Sequence, residues 1–507
     1  MTRRRPPVAS WRWLALLASL GWLLCAALAA ARPGGGHSYS GGGSHSSGHS
    51  GGGGSGGSGD GELVWFAIQL IFRYPSVGVP LVIIGVGAWL WLQRHRPEGW
   101  QSSSGAPRRP ALETRAVDAD LLRQRDPEFS LVLFEDFVYR LFATAHRARH
   151  QPQELAALAA YLDAPVRDAL AALSPAGTAF TNVVVGALRV LSVQLPANPA
   201  REDARERVSL LLEANLACHS PAGFSAYFAK QVWIFARRAG TLSKTPGQRS
   251  ERFGCPNCGA PFRSGDATRC EFCGEVVTGG RFDWQATELR VVAHELQPPL
   301  DSPTVPERGT DDPTIFHPAL RERFAELLQA DPALTWPALE GRLRLIYDAL
   351  NQSWTSGDLS VARPLLSDGM FDYLDYWVRA YREQGTRNVL ERMRIERAVL
   401  VKLVRDRHYD AVTIRLWASG LDYTVELENS ALVSGSRSAE RAYSEYWTLI
   451  RGSGVRGAPR QAAVCPNCAA PLKTSMAGVC EYCSQHVTSG EFDFVLSKIE
   501  QDDSYAG

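Results

Sequence analysis

Two blocks of four cysteines, far apart in the chain, constrain this sequence more than any other feature. The first is Cys255-Pro256-Asn257-Cys258 followed by Cys270-Glu271-Phe272-Cys273. The second is Cys465-Pro466-Asn467-Cys468 followed by Cys480-Glu481-Tyr482-Cys483. Both have the spacing C-x2-C-x11-C-x2-C. Two tight knuckles that each present two thiolates form the ligand set of a tetrahedral Zn²⁺. The pattern predicts two zinc ions, with Cys255, Cys258, Cys270 and Cys273 on one and Cys465, Cys468, Cys480 and Cys483 on the other. Four thiolates close the coordination sphere and leave no position for a reactive water, so the predicted role is structural. His486 lies close after Cys483 but is surplus to a site that already has four ligands. Redox-active dithiols and a rubredoxin-like iron site remain as alternatives. Glycine follows the second and fourth cysteines of the first block, as iron knuckles favour, whereas Ala469 and Ser484 stand there in the second.

At 507 residues the chain has room for two or three domains. Its formal net charge of +1 supplies no field that would attract nucleic acid, and no nucleic-acid partner is expected. Of the ten cysteines, eight belong to the blocks; Cys25 and Cys218 stand alone. A chain of this size with strict C-x2-C pairs is not a small disulfide scaffold.

The N-terminus carries targeting signals. Residues 1–31 join Arg3, Arg4 and Arg5 to an apolar stretch ending in small residues, the pattern of a secretory signal peptide or of an uncleaved first transmembrane helix. Residues 32–61 are Gly, Ser and His with almost nothing apolar and predict a disordered segment; His37, His45 and His49 read as solvated polar residues there. Residues 63–92 form a membrane segment with a transmembrane helix at about 75–92, flanked by Tyr74, Trp89 and Trp91. Arg94, Arg96, Arg108 and Arg109 follow in a linker over 93–117, and the positive-inside rule sets this side in the cytoplasm. A cleaved signal and an uncleaved first helix lead to the same orientation. That compartment is reducing, as thiolate metal sites require.

Beyond the linker the chain repeats one plan. Asp126-Pro127 opens the first copy and Asp331-Pro332 the second. Amphipathic helices come first: Phe134, Phe137, Leu141 and Phe142 share one helical face, as do Leu339, Leu343, Ile346 and Leu350. Gly357-Asp358 marks the start of a short helix and Ser367-Asp368 caps another. Strands follow at 183–193, 208–216 and 227–235, and in the second copy around Val399–Leu403, Val412–Leu416 and Tyr423–Leu427. Each copy then has a strand with Trp and, four residues on, Arg: Trp233 with Arg237, Trp447 with Arg451. Each ends in a cysteine block and a short tail, Phe282-Asp283-Trp284 or Phe492-Asp493-Phe494. Helices followed by antiparallel strands specify α+β. The domains are 118–245 with a four-cysteine zinc ribbon at 250–295, a linker at 296–314, and 315–455 with a second ribbon at 460–500.

Asp331-Pro332, the Gly357-Asp358 break, the late strands and Trp447-x3-Arg451 resemble the bacterial relatives of the translocase of the inner mitochondrial membrane, subunit forty-four. The likeness covers 315–455 well and 118–245 more loosely, through Asp126-Pro127, Phe134-Glu135-Asp136-Phe137 and Trp233-x3-Arg237. It implies cones of three helices on a curved antiparallel sheet, the fold of nuclear transport factor two. It also implies a bacterial inner-membrane protein with one span, cytoplasmic domains, and a protein or lipid partner. The zinc blocks lie outside the usual pattern of that family.

The expected function is a non-enzymatic scaffold or adaptor. An enzyme of isomerase or dehydratase type would need an acid/base pair in an apolar pocket of the second domain, with Asp348, Asp375, His408 and Tyr423 as candidates. None forms a spacing motif. His408 reads as a hairpin-turn residue, Asp375 as part of a helix packed on one side, Trp233 and Trp447 as core anchors, and Arg237 and Arg451 as partners of carboxylates. A thiol redox sensor built on the C-x2-C pairs is the third reading.

Overall fold

The computed structural model describes residues 120–173, 179–220, 223–244, 253–262, 268–296, 309–461, 464–502 and 504–507. The segments expected to form a signal sequence, a Gly/Ser/His-rich disordered tract, a membrane span and the first linker lie outside the described residues. Among the described residues no helix is long and apolar enough to cross a membrane.

The first domain begins with the short helix α1 (Asp120–Arg123) and the long α2 (Leu131–Ala148). Ser130 starts α2 by accepting the Leu133 amide, at 3.4 Å. Phe134, Phe137, Val138, Leu141, Phe142 and Ala145 recur at three- and four-residue steps and are all buried. Helices α3 (Pro152–Ala156) and α4 (Ala164–Ala172) follow, then strands β1 (Ala179–Gln194), β2 (Arg205–Ser220), β3 (Gly223–Arg238) and β4 (Gln285–Leu296). The sheet runs β1-β2-β3-β4, antiparallel throughout. Its helix-facing rows are read from the register: Leu210 lies between Val190 and Trp233, and Leu216 between Val183 and Tyr227.

The second domain repeats this order. Helices α5 (Leu320–Ala330), α6 (Trp336–Ser356) and α7 (Asp368–Glu383) precede β5 (Thr386–Arg405), β6 (Tyr409–Glu426), β7 (Leu432–Gly435), β8 (Arg441–Gly452) and β9 (Val495–Gln501). The main sheet path is β5-β6-β8-β9, with β7 hydrogen-bonded to β6. Leu339, Leu343, Ile346 and Leu350 of α6 are buried as their spacing requires, and Ser367 accepts the Met370 amide to cap α7. The α+β class and the helix-then-sheet order hold in both copies.

Four sequence expectations differ from the structure. No α-helix begins at Gly357-Asp358; a turn leads to a single 3₁₀ turn at Arg363–Leu365, where Pro364 suits a short tight turn better than a helix interior. The segments at 412–416 and 423–427 are one strand, β6, because Gly420 continues the ladder opposite Arg441. Helix α7 is buried on more than one side, since Phe371, Tyr373, Tyr376 and Trp377 all lie inside. Finally, the segments after the cysteine blocks are not tails. β4 pairs with β3 and β9 pairs with β8, so each block is an insertion between the last two strands of its sheet.

The motifs that bracket each copy meet in the core. Arg237 reaches across to Asp126 at 2.7 Å and to Glu206, its cross-strand neighbour, at 2.8 Å. Arg451 reaches Asp331 at 3.0 Å, and its cross-strand neighbour Asp410 lies 4.0 Å away. The amide of Ser243 donates to Asp126 and that of Gly457 to Asp331, at the same offset beyond the arginine. Each guanidinium also lies over the aromatic ring that follows the cysteine block, Arg237 over Trp284 at 4.5 Å and Arg451 over Phe494 at 4.6 Å. These arginines are 1% exposed, so the ion pairs are desolvated and stranding either partner alone would be costly. Trp233 and Trp447 are buried anchors as expected, each donating to the residue two positions earlier, Gln231 and Glu445.

The domains pack on each other. Val132 and Leu133 of α2 lie against Tyr409, Ala411, Ile450 and Val495 on the outer face of the second sheet. Val184 and Ala217 of the first sheet join the core cluster of the second domain. Lys498–Glu135, Arg323–Asp120 and Arg407–Glu128 are ion pairs across the junction.

His146, at the end of α2, is buried and neutral. Its Nδ1 accepts from Arg149 at 2.9 Å and its Nε2 lies 3.1 Å from Gln231 Oε1. Burial, and then the Arg149 charge, hold its ring down to about 3. The unfolded chain takes up this proton as pH falls through about 6.5, whereas the folded protein does not. His146 therefore contributes its full stability above that pH and loses it on acidification, by up to about 1.4 kcal/mol per pH unit. The urea midpoint should fall from pH 6.5 to 5 in the native protein and fall less steeply in His146→Gln.

Candidate metal centres

In each block the four Sγ atoms all lie within 4.8 Å of one another. Cys255 and Cys273 are 3.8 Å apart, Cys258 and Cys270 3.7 Å, and Cys465 and Cys483 3.8 Å. A tetrahedron with Zn–S bonds of about 2.3 Å has edges of about 3.8 Å, so the donor set fits zinc in number, chemistry and spacing.

The backbone makes this geometry twice over. The Cys255 amide donates to Ala260 O at 2.7 Å, and the Cys465 amide to Ala470 O at 2.7 Å. Gly259 and Ala469 donate back to the first cysteine carbonyl of their knuckles, and Gly274 and Ser484 to the third. Asn257 Nδ2 lies 3.5 Å from Cys273 Sγ, and Asn467 Nδ2 lies 3.5 Å from Cys483 Sγ. The Glu275 amide and then Asn257 pull the Cys273 thiol down to about 6; Asn467 and then the Gln485 amide do the same for Cys483. Such donors stabilise a thiolate at the fourth cysteine of each block, whereas burial pushes the Cys255 thiol up to about 12. Asn257 and Asn467 carry no role in the sequence reading; the Pro-Asn shared by both first knuckles is the signal that points to them.

The two blocks differ in backbone strain. Gly259 and Gly274 have φ of 78° and 72°, natural for glycine. Ala469 and Ser484 hold φ of 59° and 58°, a region that costs other residues about 1–2 kcal/mol. Ala469→Gly should tighten zinc retention in the second block by about five-fold for each ~1 kcal/mol relieved. Chelator competition on the purified protein reads this; unchanged retention would contradict it.

Both blocks are fixed to their domains. Cys255 and Cys270 sit in the first core, where Phe253 packs on Phe137 and Tyr161, and Tyr161 Oη donates to Gly254 O at 2.8 Å. In the second, Arg363 donates to Met476 O at 2.8 Å and Thr488 to Asp368 at 2.9 Å. His486 is 3.3 Å from Asp368 and turned to it rather than to the thiolates. The first and third cysteines of each block are buried and the second is exposed.

The four acid/base candidates do not converge. Asp348 is exposed on α6, and Asp375 pairs with Arg379 at 2.7 Å. His408 lies 3.4 Å from Glu128 of the first domain, and Tyr423 donates to Glu391 at 2.8 Å. A cavity of about 50 Å³ in the second domain is lined by Trp354, Tyr381, Arg382 and Asn388 and by none of the four. Tyr347, Tyr373, Trp377 and Trp447 pack together in the core of this cone.

Residues 320–459 match the Tim44-like domain family, a span that takes in α5 to β8 and stops before the second cysteine block. No curated protein and no solved structure matches the chain.

Proposed function

We propose that this chain is a membrane-anchored, zinc-binding scaffold without catalytic activity, built by internal duplication of one cone-plus-ribbon unit. The Tim44-like domain supports a binding or scaffold role, and the two four-cysteine groups support two structural zinc ions. The observation that carries the reading is the aromatic-packed core of the second cone, whose small cavity none of the polar candidates for catalysis lines. A protein or lipid partner would meet outer surfaces of the paired domains. The predicted span at about 75–92 would anchor them at the cytoplasmic face of a bacterial inner membrane, consistent with resemblance to bacterial relatives of the translocase subunit. The sulfur spacing favours metal over a dithiol switch, because Cys255–Cys273, Cys258–Cys270 and Cys465–Cys483 stand at a tetrahedral edge length and all four sulfurs of each block lie within 4.8 Å of one another.

Protease protection tests the anchoring. Full-length protein in inverted bacterial inner-membrane vesicles should lose its C-terminal domains to added protease and retain a membrane fragment resistant to carbonate extraction. Protection of those domains in inverted vesicles, or their complete release by carbonate, would reject the topology.

A further inference from the structure

The first domain contains a buried cation that no carboxylate among the described residues neutralises. Arg149 caps the end of α2 and is 2% exposed. One nitrogen, Nη1, donates to His146 Nδ1, and the guanidinium lies 3.7 Å from the Phe180 ring centroid. The other two nitrogens, Nε and Nη2, have no hydrogen-bond partner, and no carboxylate among the described residues pairs with it. Nε and Nη2 form the side edge of the fork, the edge that takes a carboxylate through two parallel hydrogen bonds.

The network behind it is short of acceptors. Arg149 donates to His146, while His146 and Trp233 both meet Gln231 Oε1. Gln231 Nε2 is also buried without a partner. Three N–H-bearing nitrogens of one connected cluster thus lack an acceptor, and each unmet donor costs about 1–3 kcal/mol. The second domain shows what completion looks like. Phe142 packs on Trp233 as Tyr347 packs on Trp447, and Arg149 and Trp354 stand at the same offset beyond these rings. Trp354 donates to Asn388, Asn388 to Asp422, and Arg441 to Asp422, so that chain of donors ends on a carboxylate. The first domain has the donors and lacks that carboxylate.

We infer that the open end of the first cone is a binding site for a monocarboxylate with an apolar body, held by the Nε/Nη2 edge of Arg149. Charge selects the class: His146 is neutral, so one guanidinium balances one negative charge, and a dianion would leave an unpaired buried charge. The apolar body would lie along the strand ends, where Tyr227 stacks on His294 at 5.0 Å and Val291 and Leu296 are exposed on the helix-facing side of β4. The site is separate from the proposed scaffold role and from both cysteine blocks.

The test is titration of detergent-solubilised full-length protein with 4-fluorobenzoate, followed by ¹⁹F NMR, alongside 4-fluorobenzyl alcohol and 4-fluorophenyl phosphate. Saturable binding of the benzoate at least 100-fold tighter than the alcohol is expected. Arg149→Met should abolish that preference while its urea midpoint holds or rises, because an unpaired buried charge has been removed. Absence of saturable benzoate binding, equal binding of the alcohol, or undiminished binding by Arg149→Met overturns the inference. Tighter binding of the phosphate ester overturns the carboxylate class. If Arg149→Met does not fold, the benzoate-to-alcohol ratio on the native protein decides alone.

Discussion

Asp331→Ala should destabilise the second domain by about 3–5 kcal/mol, the cost of stranding a buried charge. Arg451 is 1% exposed and holds Asp331 at 3.0 Å, while Asp410 stands farther off and is shared with Arg405. The same carboxylate accepts the Gly457 amide, so its loss also leaves a backbone donor unmet. The double variant Asp331→Ala/Arg451→Met should recover much of the deficit, because it removes both charges and keeps an apolar chain under the Phe494 ring. Urea unfolding of the native protein, the single and the double variant reads the coupling. A single variant within ~1 kcal/mol of native would mean the pair is incidental. Asp126→Ala should repeat the result in the first domain through Arg237.

Removal of zinc should have the largest effect. Structural zinc contributes about 10–16 kcal/mol of binding free energy in small ribbons, comparable to the whole stability of a domain. Here each block separates a sheet from its last strand, so an apo block leaves β4 or β9 to find its neighbour unaided. Cys255 and Cys270 would also become uncoordinated thiols within the first core. Cys465→Ser should lower the melting temperature of the second domain and expose the block around 464–489 to protease, with the first domain less affected. A chelated, metal-free protein that melts and resists protease like the zinc-loaded one would contradict this.

Much of this was legible in the sequence because its signals are local. The C-x2-C knuckles, the apolar faces of α2 and α6, and the Ser367 cap of α7 all act over a few residues. The pairing of Asp331 with Arg451 joins residues at opposite ends of a domain, so the sequence displays both motifs but not their contact. β9 is short and follows a metal block, so its sequence reads as a tail. Its role depends on hydrogen bonds to β8, which no local pattern encodes. The apolar pocket that the enzyme alternative needs is reduced to a small cavity because α7 buries aromatic residues on more than one side, and part of that burial is against another domain. Arg149 belongs to no sequence motif. Only burial without a partner marks it, and burial is a property of the fold.

Zinc K-edge X-ray absorption, with metal content measured on the same full-length sample, tests the central claim most directly. Two zinc ions per chain, each with four sulfur neighbours at about 2.3 Å, are the predicted result. Fewer than one zinc per chain, iron in its place, or a shell containing nitrogen or oxygen would contradict it.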